Sequence, residues 1–349
     1  MDKREGKRSV RAITLIMICS CLLASCADKS QLNSSLDEYA SRLSRVLDID
    51  TPSPAAQPEY QLPPASQMVK TLPSISIEIT ELLSLRQCEL STLVANKNTA
   101  LGKVQLPSQQ LIYELSLVKA LRDCEAITPP SSSIHEQLRS WRLAKESQLS
   151  YRWGNFLQSS QDVRASLTQS LKVNASEDAA LRGYFYLDKL NSRIAGMQDA
   201  TIVLENVIEL ENHLYELQKV RFPASTWNEQ SLITSHLLAL NSSLSSALPE
   251  VNCEDGRPSD TAKILRNVFY LFFIEQVQPV ASKLTALHYK IDPVFSTWLD
   301  EPTLSVEFKA FIEGNHSVGF AEYQSAVEQH VKLWQTFLAR CNLSPTVSG

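Results

Sequence analysis

The chain has 349 residues, of which 44% are hydrophobic, with seven cysteines and a formal net charge of −5. That length holds one large domain or two small ones, and the acidic balance argues against binding nucleic acid or gripping anionic lipid by charge. Nine glycines are too few for the turn punctuation of a β fold.

The first eleven residues carry Lys3, Arg4, Lys7, Arg8 and Arg11 against Asp2 and Glu5, and an uncharged apolar run from Ala12 to Leu23 follows. A basic start, a short apolar core and small residues before a cleavage point make residues 1–25 a signal peptide. The run falls short of the roughly 20 apolar residues that span a bilayer. Leu22-Leu23-Ala24-Ser25-Cys26 reads as a lipobox, in which the Cys26 sulfur takes a diacylglyceryl group before the bond ahead of it is cut. The expectation is a lipoprotein whose partner is the membrane, held by two or more acyl chains such as palmitate, each buried methylene contributing about 0.8 kcal/mol. Ala27 rather than Asp after the cysteine favours the outer over the inner membrane, on the periplasmic side of the cell envelope.

Cys19 and Cys21 leave with the leader, so Cys88, Cys124, Cys253 and Cys341 remain, an even set for an oxidising compartment. Three pairings are open. Cys88–Cys124 and Cys253–Cys341 are favoured, since each pair lies near helix ends that short connections can bring together. No two of the four have zinc-ligand spacing.

Residues 26–49 hold the acylated cysteine and a short amphipathic helix, with Leu32, Leu36, Tyr39 and Leu43 at helical steps and Ser34 or Ser35 as cap. Residues 50–74 are rich in proline (Pro52, Pro54, Pro58, Pro63, Pro64, Pro73) and read as an extended linker, either a spacer from the membrane or a strap across the body.

Residues 75–349 are periodic at 3.6 throughout. Ile79, Leu82, Leu83, Leu90 and Leu93 form one stripe; Leu111, Leu115, Val118 and Leu121 form another that ends at Cys124. One long helix is expected to carry Leu138, Trp141, Leu149, Trp153 and Phe156. Shorter segments follow over Asp162–Val173, from Ser176 to Ile194, over Thr201–Val220 and over Thr226–Leu248. Val268–Ile274 is apolar on every side, which predicts a buried central helix, kinked by Pro279. Helices over 292–299, 305–312 and 319–340 complete the chain. The expected fold is all-α, a multi-helix bundle-like domain behind a Pro-rich N-terminal linker.

Two blocks carry a resemblance. Asn98-Thr99-Ala100-Leu101-Gly102-Lys103 with Pro107-Ser108-Gln109-Gln110-Leu111-Ile112-Tyr113-Glu114, up to Cys124, and His330-Val331-Lys332-Leu333-Trp334-Gln335 with Cys341-Asn342-Leu343-Ser344-Pro345, are similar to blocks of an uncharacterised family of Gram-negative bacterial lipoproteins. The Leu36–Leu47 helix and its Pro-rich tail fit too. The resemblance covers nearly the whole mature chain, implies an envelope lipoprotein with a domain of unknown function, and brings no catalytic residues.

Recognisable chemistry is sparse. There is no glycine-rich phosphate loop, no G-x-S-x-G elbow and no H-E-x-x-H, and the six histidines stand singly, so no metal, cofactor or catalytic set is expected. Asn98, Lys103, Ser108 and Gln109 form a polar loop and helix start that suits a small anion, although a plain loop and cap explains them better. Glu275 abuts the apolar run and would be perturbed if buried; the simpler reading is that the helix re-emerges there. The favoured function is a non-catalytic helical module for binding or assembly with an envelope protein partner. The alternatives are a small-molecule or lipid-binding domain with its pocket beside Phe269–Ile274, or an enzyme without a recognisable motif.

Overall fold

Apolar side chains at three- and four-residue steps bury one face of a helix each time they recur, and the computed structural model of the chain is built from such helices. It describes residues 30–170, 177–199 and 207–344, and among these there is no strand. The signal peptide, Cys26, and the expected helix ends at Val173, Ser176 and Thr201 lie outside the described residues.

Helix α1 (Gln31–Leu47) starts at Ser30, whose hydroxyl accepts a hydrogen bond from the Asn33 N–H at 3.1 Å, and not at Ser34 or Ser35. It buries Leu32, Leu36, Tyr39 and Leu43, each worth about 1.5–3 kcal/mol on removal from water. Residues 49–64 have no regular structure and lead to the single turn α2 (Ala65–Met68). Residues of the Pro-rich stretch touch the helical body. Tyr60 packs on Trp227, Arg164 donates to the carbonyls of Leu62 and Pro63, and Asn155 bonds both backbone groups of Lys70.

The expected stripe over residues 79–93 is broken into α3 (Ile79–Ser84) and α4 (Glu89–Lys97). The break falls at Cys88, the residue that caps α4, because its sulfur must turn toward Cys124. The turn α5 (Ala100–Lys103) leads to α6 (Pro107–Ile127). The single long helix expected next is two, α7 (Ser133–Glu146) and α8 (Leu149–Ser159). At their junction the Ser147 hydroxyl bonds Ala144 O at 2.8 Å, competing with the helical ladder, and Gln148 reaches Pro73 O at 3.2 Å.

Helices α9 (Gln161–Thr168), α10 (Glu177–Asp199), α11 (Val207–Val220) and α12 (Ala224–Glu250) follow. Then α13 (Asp260–Val268) runs through a π-helical stretch, Phe269–Val277, into α14 (Gln278–Asp300). The Gln278 N–H bonds Phe273 O, five residues back, so the wide turn takes up the register change that Pro279, which has no N–H, demands. This stretch is not buried on all sides. Phe269, Phe273 and Val277 face inward, while Leu271 is 50% exposed, because neighbouring helices cover one side only. A second π-helical stretch, Glu313–Val318, joins α15 (Val306–Ile312) to α16 (Gly319–Arg340).

Two large cores result. One gathers α6, α8, α9, α10, α11, the start of α12, α15 and the second half of α14 around Trp153, Trp227, Phe295 and Trp298. The other gathers α1, α12, α13, the first π stretch and α16 around Tyr39, Phe273 and Trp334. Helix α14 crosses from one to the other between Leu284 and Leu287. A third, smaller core lies around Leu90, Leu121, Leu138 and Trp141. Both disulfides pair as favoured from the sequence: Cys88–Cys124 with Cα atoms 5.4 Å apart and Cys253–Cys341 at 5.2 Å. No helix among the described residues is long and apolar enough to cross a membrane.

A buried polar network fastens α1 into the second core. Tyr39 OH lies 2.9 Å from His330 Nε2, Trp334 Nε1 donates to the same nitrogen at 3.2 Å, and His330 Nδ1 is 2.7 Å from Asn241 Oδ1. Asn241 Nδ2 is spent on Ala326 O, so its oxygen must accept and His330 Nδ1 carries the proton. The single lone pair of Nε2 is then shared by the Tyr39 O–H and the more distant Trp334 N–H, and no group of the ring is left over.

Candidate functional site

A cavity of about 530 Å³ opens where α4, α6, α7 and α8 meet beneath residues 72–77. Its apolar wall includes Ile75, Ile77, Leu117, Leu121 and Trp141; its polar wall holds Lys97, Tyr113, Glu114, Lys145 and Arg152. The staple Cys88–Cys124 fixes the start of α4 against the end of α6 beside it.

Glu114 sits on the buried face of α6 between Leu111, Leu115 and Val118. Lys145 comes from the last turn of α7, on the stripe of Leu138 and Trp141, and its Nζ is 2.9 Å from Glu114 Oε2. Arg152, in the first turn of α8, places Nη2 3.3 Å from Glu114 Oε1. Lys97 ends α4, donates to Gln105, and lies 5.0 Å from the centre of the Tyr113 ring.

Two cations, Lys145 and Arg152, therefore share one carboxylate, with Lys97 beside them. The Glu114 and Lys145 side chains are only 7% exposed and that of Arg152 14%, and desolvating such ions costs several kcal/mol each unless they are paired. Arg152 Nε is buried with no hydrogen-bond partner. Burial lowers the Lys97 pKa, and the nearby Arg152 and Lys145 lower it further against the pull of Glu114. Burial, with Glu114 beside it, pushes Tyr113 up to about 12. The site sets two largely buried cations against one buried carboxylate, with the half-buried Lys97 nearby and an orphaned donor next to apolar wall.

Of the polar loop singled out in the sequence, Asn98 is exposed and lines this cavity. Lys103 and Gln109 are exposed and do not line it; Gln109 accepts from the Leu106 N–H and caps α6. Ser108 is buried in the first turn of α6. Glu275 is exposed on the first π-helical stretch, and the cavity is not beside Phe269–Ile274. The sequence pattern alone does not single out Lys145, Arg152 or Glu114 as site residues. The signal that marks two of them is placement: Lys145 follows Leu138 and Trp141 at i+7 and i+4, and Glu114 sits inside an apolar stripe.

The fold defines an all-α protein with a stapled helical domain and a polar-lined pocket that opens to solvent. By sequence, the chain belongs to the DUF3080 family, a protein family of unknown function whose family model matches residues 36–345. No curated protein and no solved structure matches it.

Proposed function

We propose that this chain is a lipid-anchored envelope protein, attached through acyl chains on Cys26, whose helical body binds an anionic amphiphile without catalysis. The observation that carries the binding role is the surplus of buried cations facing apolar wall in the α4–α6–α7–α8 cavity. A carboxylate or phosphate there would accept from Arg152 and Lys97 as charge-assisted bonds, and an alkyl chain would lie against Ile75, Leu117 and Trp141. The volume falls within the range of about 300–1,000 Å³ usual for small-molecule sites.

The anchor rests on the lipobox residues, and the two disulfides suit an oxidising compartment. The body then has no stalk. Four residues lie between Cys26 and Gln31, a reach of about 17 Å when fully extended, and α1 is already locked into a core. The Pro-rich strap comes after α1, so the domain would rest against the bilayer, on the periplasmic side of the outer membrane.

Calorimetric titration with dodecyl phosphate and with dodecanol tests the binding role. The phosphate should bind at least about tenfold tighter than the alcohol, a difference set by charge-assisted bonds worth about 1.5–3 kcal/mol. Arg152→Gln should abolish that preference. Equal binding of the two, or none, refutes the reading. Cys26→Ser should move the protein from the membrane to the soluble fraction, and retention on the membrane would refute the anchor.

A further inference from the structure

His288 and Asp292 lie one helical turn apart on α14, and His316 faces them from the second π-helical stretch. One ring nitrogen of each histidine and one Asp292 oxygen all lie within 4.8 Å of one another. His316 Nε2 is 3.1 Å from Asp292 Oδ1. Both histidines are buried, while the aspartate is half-exposed. We infer that His288, Asp292 and His316 form a binding site for a divalent first-row transition metal ion, with zinc the best match.

The donor set is the first argument. Two imidazoles and one carboxylate suit zinc and its neighbours; magnesium and calcium prefer all-oxygen shells. Around an ion with bonds of about 2.0–2.1 Å, adjacent ligand atoms stand roughly 3.0–3.4 Å apart. The His316–Asp292 pair already has that spacing, so the ion would replace the proton the pair shares. His288 has a ring nitrogen within 4.8 Å of the pair and closes on the ion by turning its ring out of the stack on His316.

The second argument is preorganisation. The His288 ring stacks on His316 with centroids 4.2 Å apart and on Phe320 at 3.4 Å, and Phe295 lies 4.7 Å from His316. These contacts bury both imidazoles and keep them dry on one side. The neutral ring is the form that ligates. Asp292 opens the site to solvent and leaves the remaining coordination position for water or a ligand.

Position in the fold is the third. The trio sits where α14 passes from one large core to the other, Leu284 belonging to one and Leu287 to the other. Each extra residue turns a helix face by about 100°, so the π-helical widening at 313–318 sets the direction of His316. Insertions of this kind recur at functional sites. A bound ion would tie α14 to the α15–α16 segment.

The test uses the purified full chain without an affinity tag, after chelator treatment, titrated with Zn²⁺ and, for its visible spectrum, Co²⁺. One equivalent should bind, the Co²⁺ spectrum should show nitrogen and oxygen ligands, and zinc should raise the melting temperature. His288→Phe keeps the stack on Phe320 and Asp292→Asn keeps a hydrogen bond to His316. Each should weaken zinc by roughly 100-fold or more, beyond the 10–100-fold that losing a supporting contact costs. Absence of stoichiometric binding by the unaltered chain overturns the site, as does binding that both variants retain. If a variant fails to fold, the Co²⁺ spectrum of the unaltered chain decides, since a spectrum without nitrogen ligands overturns it equally.

Discussion

Replacing His330 with glutamine should flatten the acid limb of the stability curve. The histidine accepts from Tyr39 and Trp334 at Nε2 and donates from Nδ1 to Asn241; a glutamine offers an oxygen and an N–H for the same roles but takes up no proton. Burial holds the His330 pKa at about 3, against an ordinary 6.5. Below pH 6.5 the unfolded chain therefore binds a proton that the folded chain refuses. The stability linked to this ring is complete above 6.5 and drains as pH falls toward 3. At pH 4.5, two pH units below the ordinary value, the loss is about 2.7 kcal/mol, at 1.36 kcal/mol per unit. Urea unfolding followed by circular dichroism at pH 7.5 and 4.5 measures it. Other titrating groups act alike in both proteins and cancel in the comparison. The unaltered chain should lose about 2.7 kcal/mol more than His330→Gln over that interval. If the two lose the same amount, His330 is not held neutral and the assignment of its hydrogen bonds fails.

Removing the second disulfide as Cys253→Ser with Cys341→Ser should cost about 4–5 kcal/mol on the chain-entropy model, since the bridge closes a separation of 88 residues; thermal melts of oxidised, reduced and variant protein check it, and equal melting temperatures would contradict it. Gly154→Ala should destabilise by roughly 1–3 kcal/mol through overpacking, because its new Cβ would lie 2.8 Å from Thr303 Oγ1 and 2.9 Å from Thr303 O. Denaturant midpoints measure that loss, and an unchanged midpoint would mean that the loop at 301–305 yields freely.

Helical identity was legible because the 3.6-residue spacing of apolar side chains is a local property: Leu32, Leu36, Tyr39 and Leu43 declare a face before any partner is known. The cysteine pairs were legible for a related reason, since each cysteine falls beside a helix end. Where helices stop was less so. The breaks at Cys88 and Ser147 answer to a distant sulfur and to Pro73 O, and no local pattern reports a partner dozens of residues away.

Sites were the hardest to read. The polar loop at 98–109 marks the neighbourhood of the cavity, yet its cations are Lys97, Lys145 and Arg152, drawn from three helices. A lysine in a helix has the same local signature whether it faces water or a buried carboxylate, and only packing separates the two. The same holds for His288 and His316, single histidines 28 positions apart until α14 and the π-helical stretch bring their rings into contact. Short-range periodicity by itself determined the helices, the all-α class and the positions suited to cross-linking. Only tertiary structure, by setting desolvation and the pairing of charges, decided which polar residues form a site.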